Sequence, residues 1–456
     1  MNYSDFLANK ATIDPNTGLT DIPPLNPMLY EHQKDMVTWA LRRGRAALFA
    51  DCGIGKGPMQ MEWADKQPHE CIIAAPLAVA HQFVREAQKF GIDLAYAKDQ
   101  SQVTKRITVT NYERLENFHV EQFGAVALDE SSILKNSSGA YCNWMIEAFK
   151  NTPFRLCSSA TPAPNDVMEL GTQAEFLGVM TRGEMLAMYF THDGGDTSKW
   201  RVQGHAQAAF WSWMASWAVM IRKPSDLGYS DEGFVLPPLT MHEHCVKVDA
   251  PSNGFLFAVE AQTLQERQSA RRDSIGDRVK ACADLVNSTD RPFLVWCNLN
   301  AESEALAAAI PEAIEVKGSD TDDHKEKAIV GFLEGKYRVM VSKPRIAGLG
   351  LNLQHCSDMA FVGLSDSYEQ LYQSIRRCWR FGQLNPVDVH VITAETEGAV
   401  VSNIKRKERE AEDTYNSMIE HMKDLNAAAL HGGSTRNKTD YAPRMSLSIP
   451  NWLEAA

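Results

Sequence analysis

The segment 46–56, AALFADCGIGK, decides the fold class that the sequence predicts. The apolar run Ala46–Ala50 predicts a short strand that is buried on both faces, as in a parallel sheet. The glycines that follow allow backbone N–H groups to turn around a phosphate, and Lys56 can reach the outer phosphates. Pro58 suits the first turn of a helix, where its missing N–H costs no hydrogen bond. Strand, phosphate loop and helix in this order predict an α/β domain.

Further short apolar runs alternate with longer amphipathic stretches. Each run has the length and composition of a buried parallel strand, and the amphipathic stretches predict the crossover helices. We therefore predict two α/β units. The strands predicted for the first unit are 46–50, 71–75, 107–110, 125–128 and 154–158, and those for the second are 293–297, 314–316, 339–341, 359–362 and 387–392.

Between the two units lies a segment rich in tryptophan, with Trp200 and Trp211 among them. Phe210, Trp213 and Trp217 recur at three- and four-residue spacing, which favours one buried helix face over a platform for stacked nucleobases. The predicted boundaries are 1–165 for the first unit, 166–240 for a helical insertion and linker, 241–400 for the second unit and 401–456 for a C-terminal helix and tail.

Composition and charge narrow the function classes. The chain has 456 residues, a formal net charge of −12 and 44% hydrophobic residues, as soluble globular proteins do. It lacks an apolar run of membrane-spanning length and signal-peptide features, so we expect a cytoplasmic protein, or one of the host cytoplasm if it is viral, without a membrane partner. Nine cysteines occur singly rather than in Cys-x-x-Cys pairs, so zinc is not expected. The acidic total still permits a local basic groove for nucleic acid.

A pair of carboxylates, Asp129 and Glu130, follows the predicted strand 125–128. The carboxyl ends of parallel strands meet at one edge of a sheet, so the pair is expected beside the phosphate loop. There Asp129 would hold Mg²⁺ through water, and Glu130 would orient and deprotonate an attacking water. Ser159 and Thr161 follow the next strand and are predicted to pass the state of the nucleotide to the second unit. For either segment taken alone, an ordinary surface turn is the alternative.

The segment 373–383, QSIRRCWRFGQ, places three arginines among eleven residues. Such a density of positive charge needs an anion. In a chain with a phosphate loop and an acidic pair, the natural anion is the γ-phosphate of ATP, approached by arginine fingers from a second domain.

In this order and spacing, the motifs resemble those of superfamily-two helicases, and within them the Swi/Snf-like translocases. The resemblance covers about residues 25–395 and is carried by the phosphate loop, the acidic pair, the segment Ser159–Pro162 and the segment 373–383. It implies an α/β protein with two RecA-like parallel-sheet lobes, a helical insertion and a C-terminal helix. It also implies ATP and Mg²⁺ in the cleft between the lobes.

The resemblance further implies a set of site residues. Arg377 and Arg380 would be the arginine fingers, and Gln373 would join Ser159 and Thr161 in coupling the lobes. The nucleotide-binding positions would be Tyr30, Gln33, Gly53, Ile54, Gly55, Lys56, Gly57, Gly350 and Asn352. The positions expected to contact the nucleic-acid backbone, without reading bases, are Pro76, His81, Thr110, Asn111, Lys343, Arg345 and Gly348.

Three residues depart from the family pattern. A Thr or Ser normally stands at the position of Gly57 and ligates Mg²⁺ directly, so water or another residue must substitute. The glycine has three possible explanations. The chain is a tolerated variant with weaker Mg²⁺ binding, an altered chain that traps one state, or a chain that binds nucleotide without turnover. Arg376 and Trp379 stand where relatives more often carry an acid and a histidine, so different local pairing is expected.

The sequence therefore predicts a DNA-dependent ATPase, a translocase or helicase that couples cleft closure and ATP hydrolysis to movement along DNA. Duplex or branched DNA is favoured over RNA as the partner. The alternative is a nucleotide-gated DNA-binding clamp with weak or no ATPase activity because of Gly57. A protein-interaction scaffold on an inactive helicase frame is a third hypothesis.

Overall fold

The computed structural model describes residues 16–164, 166–193, 196–247, 271–347 and 352–431. Two parallel sheets with flanking helices form two lobes, and a cleft lies between them. The predicted site positions Gly348 and Gly350, and the tail beyond residue 431, lie outside the described residues. Within the described part of the chain, no helix is both long and apolar enough to cross a membrane.

The first lobe is built on a sheet of seven parallel strands, and a short antiparallel hairpin lies outside that sheet. The sheet strands are β1 Arg45–Ala50, β2 Cys71–Ala75, β3 Leu94–Tyr96, β4 Ile107–Asn111, β5 Ala125–Asp129, β6 Phe154–Ser158 and β9 Ala218–Ile221, and the hairpin strands are β7 Phe190–Asp193 and β8 Asp196–Val202. Side by side, the sheet strands lie in the order β3, β4, β2, β5, β6, β1, β9. The ends of β1 and β5 therefore lie near each other at one edge, with only β6 between them.

Helices cover both faces of this sheet, which is why its central strands are buried throughout. The helices of this part are α1 Glu31–Arg43, α2 Lys56–Asp65, α3 Leu77–Phe90, α4 Ala140–Ala148, α5 Leu170–Leu177, α6 Arg182–Tyr189 and α7 Gln207–Trp217. In α7, Phe210 and Trp217 are fully buried and Trp213 packs against the same core. The prediction that these aromatic residues serve core packing is confirmed.

The second lobe is built on a sheet of six parallel strands. Its strands are β10 Leu239–Val246, β11 Phe293–Trp296, β12 Ala313–Val316, β13 Val339–Ser342, β14 Asp358–Val362 and β15 Val387–Ala394. They lie in the order β10, β15, β14, β11, β13, β12. Its helices are α8 Ile275–Asn287, α9 Asn300–Ala309, α10 Asp322–Leu333, α11 Pro344–Ala347 and α12 Tyr368–Ile375, and α13 Gly398–Leu430 follows the last strand.

The predicted fold class of two RecA-like α/β lobes is confirmed. Every apolar run predicted as a strand coincides with an observed strand, with ends that differ by two residues at most. Strands β3, β7, β8, β9 and β10 were missed. The segment 166–240, predicted as an insertion and linker, contains β9, which pairs with β1 at the edge of the first sheet. The four-part division of the chain stays a prediction.

Helix α13 connects the cores of the two lobes. Val400 and Ile404, near its start, are buried in the core of the second lobe. Met418 and Met422, four to five turns further along, are buried in the core of the first lobe. The helix therefore ties the lobes together by apolar contacts at both of its ends.

We expect Met422→Ala to lower the free energy of unfolding of the first lobe by about 2–5 kcal/mol, because the lost side chain leaves a cavity in a packed core. Lys423→Ala, on the exposed side of the same turn, should change it by less than about 0.5 kcal/mol. Denaturant unfolding followed by tryptophan fluorescence measures both. Equal effects would show that α13 is not packed on the first lobe.

Candidate functional site

The phosphate loop joins β1 to α2 and has a backbone shape that requires glycine. Gly53 and Gly55 have φ angles of 93° and 96°, which residues with a side chain rarely adopt. Lys56 begins α2, and its Nζ donates to the Ala50 carbonyl oxygen at 2.9 Å. The loop thus lies at a helix N-terminus, where unbonded N–H groups and the helix dipole favour an anion.

The acidic pair lies at the carboxyl end of β5, as the sequence predicted. Asp129 is 6% exposed and accepts a hydrogen bond of 2.6 Å from Nε2 of Gln60 on α2. Burial, together with the Glu130 carboxylate, raises the pKa of Asp129 to about 7. Glu130 has a φ of 57°, a left-handed conformation that costs energy in a residue with a side chain and is common at functional sites. Gln60 was missed by sequence reasoning, because only the fold turns it toward Asp129.

The residues predicted to couple the lobes lie in one chain of contacts. Ser159 Oγ donates to Glu130 Oε2 at 3.4 Å and accepts from the Thr161 N–H at 3.0 Å. From the second lobe, Nε2 of Gln373 donates to Thr161 Oγ1 at 3.5 Å. Polar contacts therefore run from the acidic pair to α12 of the opposite lobe.

Arg377 and Arg380 line the cleft from the second lobe. Arg377 is 3% exposed, and its Nε donates to the Gln373 carbonyl oxygen at 2.8 Å. Its Nη2 is buried and has no hydrogen-bond partner in the described protein. Desolvation, together with the charge of Arg377, lowers the pKa of Arg380 to about 10. Two neighbouring guanidinium groups in a buried place strongly favour a negatively charged ligand.

Arg376 forms a buried ion pair with Asp51, which lies at the start of the phosphate loop. The Tyr372 hydroxyl donates to Asp51 Oδ1 at 2.6 Å. The Arg376 guanidinium carbon lies 5.4 Å from the Tyr372 ring centroid and 4.7 Å from that of Trp379. Trp379 Nε1 donates to the Pro237 carbonyl oxygen at 2.7 Å. Arg376 and Trp379, two of the residues that depart from the family pattern, therefore pack on each other, and Arg376 joins the lobes.

Aromatic rings surround the other end of the cleft. The Gln33 side chain accepts from the Tyr30 N–H at 3.0 Å and donates to the Ile54 carbonyl oxygen at 2.8 Å, which fixes this segment on the phosphate loop. The Phe234 ring centroid lies 5.0 Å from that of Tyr30 and 4.9 Å from that of Phe381. Together these rings offer an apolar surface suited to a purine base. Phe234 and Phe381 were missed by sequence reasoning.

A cavity of about 300 Å³ lies between the lobes at this place. The structure brings together the predicted positions Tyr30, Gln33, Gly53, Gly55, Lys56, Gly57, Asp129, Glu130, Asn352, Arg377 and Arg380. Among the described residues, no group of three or more His, Cys, Asp or Glu side chains is arranged to hold a metal. A magnesium ion that accompanies a nucleotide needs no such group, because phosphates, water and one or two carboxylates hold it. The acidic pair therefore fits Mg²⁺.

The predicted nucleic-acid positions of the first lobe lie at the same edge of its sheet. Pro76 immediately precedes α3. The ring centroids of His81 and Tyr96 lie 4.6 Å apart. The Thr110 hydroxyl donates to the Ala97 carbonyl oxygen at 2.9 Å, and Asn111 is 4% exposed. Thr110 and Asn111 are thus buried within the lobe, and their contact with nucleic acid stays a prediction.

The predicted nucleic-acid positions of the second lobe follow β13. Lys343 donates to Asn300 Oδ1, and Arg345 is exposed on α11. Both carry positive charge close to the cleft edge of the second sheet, where a phosphate backbone could approach. Their role also stays a prediction.

Comparisons with known proteins agree with this geometry. The Helicase conserved C-terminal domain family matches residues 277–382, which include both candidate arginine fingers. The resemblance to Swi/Snf-like superfamily-two helicases is confirmed. The DNA annealing helicase and endonuclease ZRANB3 of Mus musculus is 22% identical over 453 residues. The match spans 87% of this chain and 42% of that protein.

A second relative is the SWI/SNF-related matrix-associated actin-dependent regulator of chromatin subfamily A-like protein 1 of Drosophila melanogaster. It is 22% identical over 465 residues, and the match spans 94% of this chain and 61% of that protein. The chain thus spans about half the length of these two relatives.

We expect Arg376→Met to open the cleft. The substitution leaves the Asp51 carboxylate buried without its partner, a change that costs about 3–5 kcal/mol in folded proteins and is relieved here when the lobes separate. Small-angle X-ray scattering should show a larger radius of gyration. Arg406→Met, which removes an arginine with a 54% exposed side chain from α13, should leave the radius unchanged. An unchanged radius in both variants would show that the pair does not hold the cleft closed.

Proposed function

We propose that this chain is an ATP-dependent DNA translocase or helicase in which cleft closure and ATP hydrolysis drive movement along DNA. The observation that carries the proposal is the buried Arg377, whose Nη2 has no partner in the described protein. Arg377 lines the same cavity as Lys56, Asp129 and Glu130 of the opposite lobe. The triphosphate of ATP is the anion that such a cavity needs.

Each group has a role that follows from its charge and place. The N–H groups of the phosphate loop and the Lys56 ammonium bind the β- and γ-phosphates. Asp129 would hold Mg²⁺ through water, and the ion would neutralise charge on the phosphate oxygens. Glu130 takes a proton from the attacking water, and Arg377 and Arg380 stabilise the charge that develops in the transition state.

Contacts between the lobes link this chemistry to movement. The γ-phosphate would hold the guanidinium groups of Arg377 and Arg380 in the closed cleft. After hydrolysis and phosphate release, the two buried guanidinium groups would lose their anion, and opening of the cleft would be favoured because it lets water solvate them. The contact of Gln373 with Thr161 would break with each opening and form again with each closure, so that one lobe steps along the nucleic-acid backbone.

DNA is the proposed track because of what the relatives are named for. One relative is named a DNA annealing helicase and the other a regulator of chromatin. The net charge of −12 also requires that binding rest on local basic groups, with Lys343 and Arg345 as candidates, and on backbone N–H groups. Such contacts suit movement over any sequence, on duplex or branched DNA.

We expect duplex DNA to stimulate ATP hydrolysis and Arg377→Ala to reduce turnover by about a thousandfold or more, because the loss removes a charge that stabilises the transition state. ATP binding should persist, since Lys56 and the phosphate loop are unchanged. Arg409→Ala, which alters an exposed arginine of α13, should keep wild-type turnover. Phosphate release measured without DNA and with single-stranded, duplex and branched DNA tests this.

Two results would contradict the proposal. ATP binding without stimulation by any of these DNAs would argue against a DNA-driven ATPase. A turnover in Arg377→Ala equal to that of Arg409→Ala would show that Arg377 does not reach the reacting phosphate.

Gly57 favours a second candidate function, a nucleotide-gated DNA-binding clamp. In that case nucleotide closes the cleft on DNA, but the missing hydroxyl prevents turnover. Gly57→Thr distinguishes the two functions. We expect the substitution to change turnover by less than about tenfold, which would mean that another group already binds Mg²⁺. A much larger gain in turnover would favour the clamp.

A further inference from the structure

We propose that the carboxylate of Glu86 takes the place of the hydroxyl that is missing at Gly57 and holds the Mg²⁺ that accompanies the nucleotide. This role rests on the proposed function, because it requires ATP in the cleft. Glu86 lies on α3, outside every motif that the sequence singled out, and it lines the same cavity as Lys56 and Asp129.

The position of Glu86 relative to Gly57 is the first support. Helix α3 packs beside α2, which begins at the phosphate loop. A Cβ atom added at Gly57 would lie 3.4 Å from Glu86 Oε2, and apart from its chain neighbours and the backbone of its own helix it would meet no other described atom within 4 Å. The hydroxyl of Thr or Ser is bonded to this Cβ. The oxygen of Glu86 therefore lies beside the place where the family pattern puts the oxygen that binds Mg²⁺.

Two hydrogen bonds hold the Glu86 carboxylate in this orientation. Its Oε1 accepts from Gln82 Nε2 at 2.6 Å, one turn earlier on α3. The same oxygen accepts from Asn352 Nδ2 of the second lobe at 3.1 Å. Oε2 is the oxygen that faces Gly57. Groups that orient a ligand in this way are typical of metal sites, where they fix the ligand and raise its basicity.

Unsatisfied polar atoms around Glu86 suit a polar ligand. Oε1 of Gln82 and Oδ1 of Asn352 are buried and have no hydrogen-bond partner in the described protein. Both are acceptors, so they suit the water molecules that Mg²⁺ keeps in its shell. Nη2 of Arg377, also buried without a partner, is a donor in the same cavity and suits a phosphate oxygen. A hydrated magnesium ion with a triphosphate offers both kinds of partner.

A carboxylate at this place changes the electrostatics of nucleotide binding. Without the ion, the negative charges of Glu86, Asp129 and Glu130 repel the triphosphate. When Mg²⁺ accompanies the triphosphate, the same negative charges attract the ion. A Thr hydroxyl would ligate the ion without the repulsion. The ratio of nucleotide affinity with and without Mg²⁺ therefore reports on Glu86 separately from catalysis.

The test is calorimetric titration of the non-hydrolysable analogue AMP-PNP in the presence of Mg²⁺ and in the presence of EDTA. We expect Glu86→Gln to reduce the ratio of the two affinities by about tenfold to a hundredfold, the range known for losses in metal-site support. Adding Gly57→Thr to this variant should restore most of the ratio, because the hydroxyl returns. Glu31→Gln, which removes one negative charge from a 74% exposed side chain on α1, is the matched control and should leave the ratio unchanged.

The outcomes are distinguishable. Equal ratios in wild-type protein, Glu86→Gln and Glu31→Gln would overturn the role of Glu86 and leave the nucleotide site standing. Absence of AMP-PNP binding to the wild-type protein in both conditions would overturn the proposed function itself.

A second variant and a second measurement test the inference in case Glu86→Gln does not fold. Glu86→Asp keeps the charge but withdraws the carboxylate from Gly57, so Mn²⁺ binding with AMP-PNP present, followed by electron paramagnetic resonance, should weaken about tenfold. Unchanged Mn²⁺ affinity would overturn the inference.

Discussion

The closed cleft depends on the buried ion pair between Asp51 and Arg376. Two charges taken out of water lose hydration, and their attraction offsets this loss only with good geometry and further hydrogen bonds. Tyr372 supplies such a bond to Asp51, and Trp379 covers the guanidinium group. The main effect of the pair is therefore to restrict the closed cleft to one geometry, and its net contribution to the free energy of unfolding is small. It fixes the segment that carries Arg377 opposite the phosphate loop.

Helix α13 is a tether of a different kind. Its apolar contacts, with Ile404 in the core of one lobe and Met422 in the core of the other, do not depend on the charge state of the cleft. An ion pair across a cleft can break and form again as nucleotide comes and goes, whereas buried apolar contacts of this size persist until a core opens. The lobes can thus separate at the nucleotide site while α13 stays packed on both.

The sequence predicted the features that local patterns encode. Continuous apolar runs report burial on both faces, so the central strands were found, whereas β3, with only three residues, and β10, with one side exposed, lack that pattern. Lys56 and Asp129 were found because each follows a recognisable strand. The side chains that lie beside these positions, Gln60 at Asp129 and Glu86 at Gly57, come from helix faces that only packing orients. No local pattern marks such long-range pairs.

The glycine at residue 57 lies in a cavity that is lined by charges of both signs. Arg376 is paired with Asp51, and the cations that line the cavity are Lys56, Lys89, Arg377 and Arg380. Three carboxylates, Glu86, Asp129 and Glu130, line the same cavity and offset most of this positive charge. A bare triphosphate would upset this balance, whereas a triphosphate with Mg²⁺ adds far less negative charge. With the role proposed for Glu86, a carboxylate in place of the hydroxyl would make the site select the metal complex over the free nucleotide.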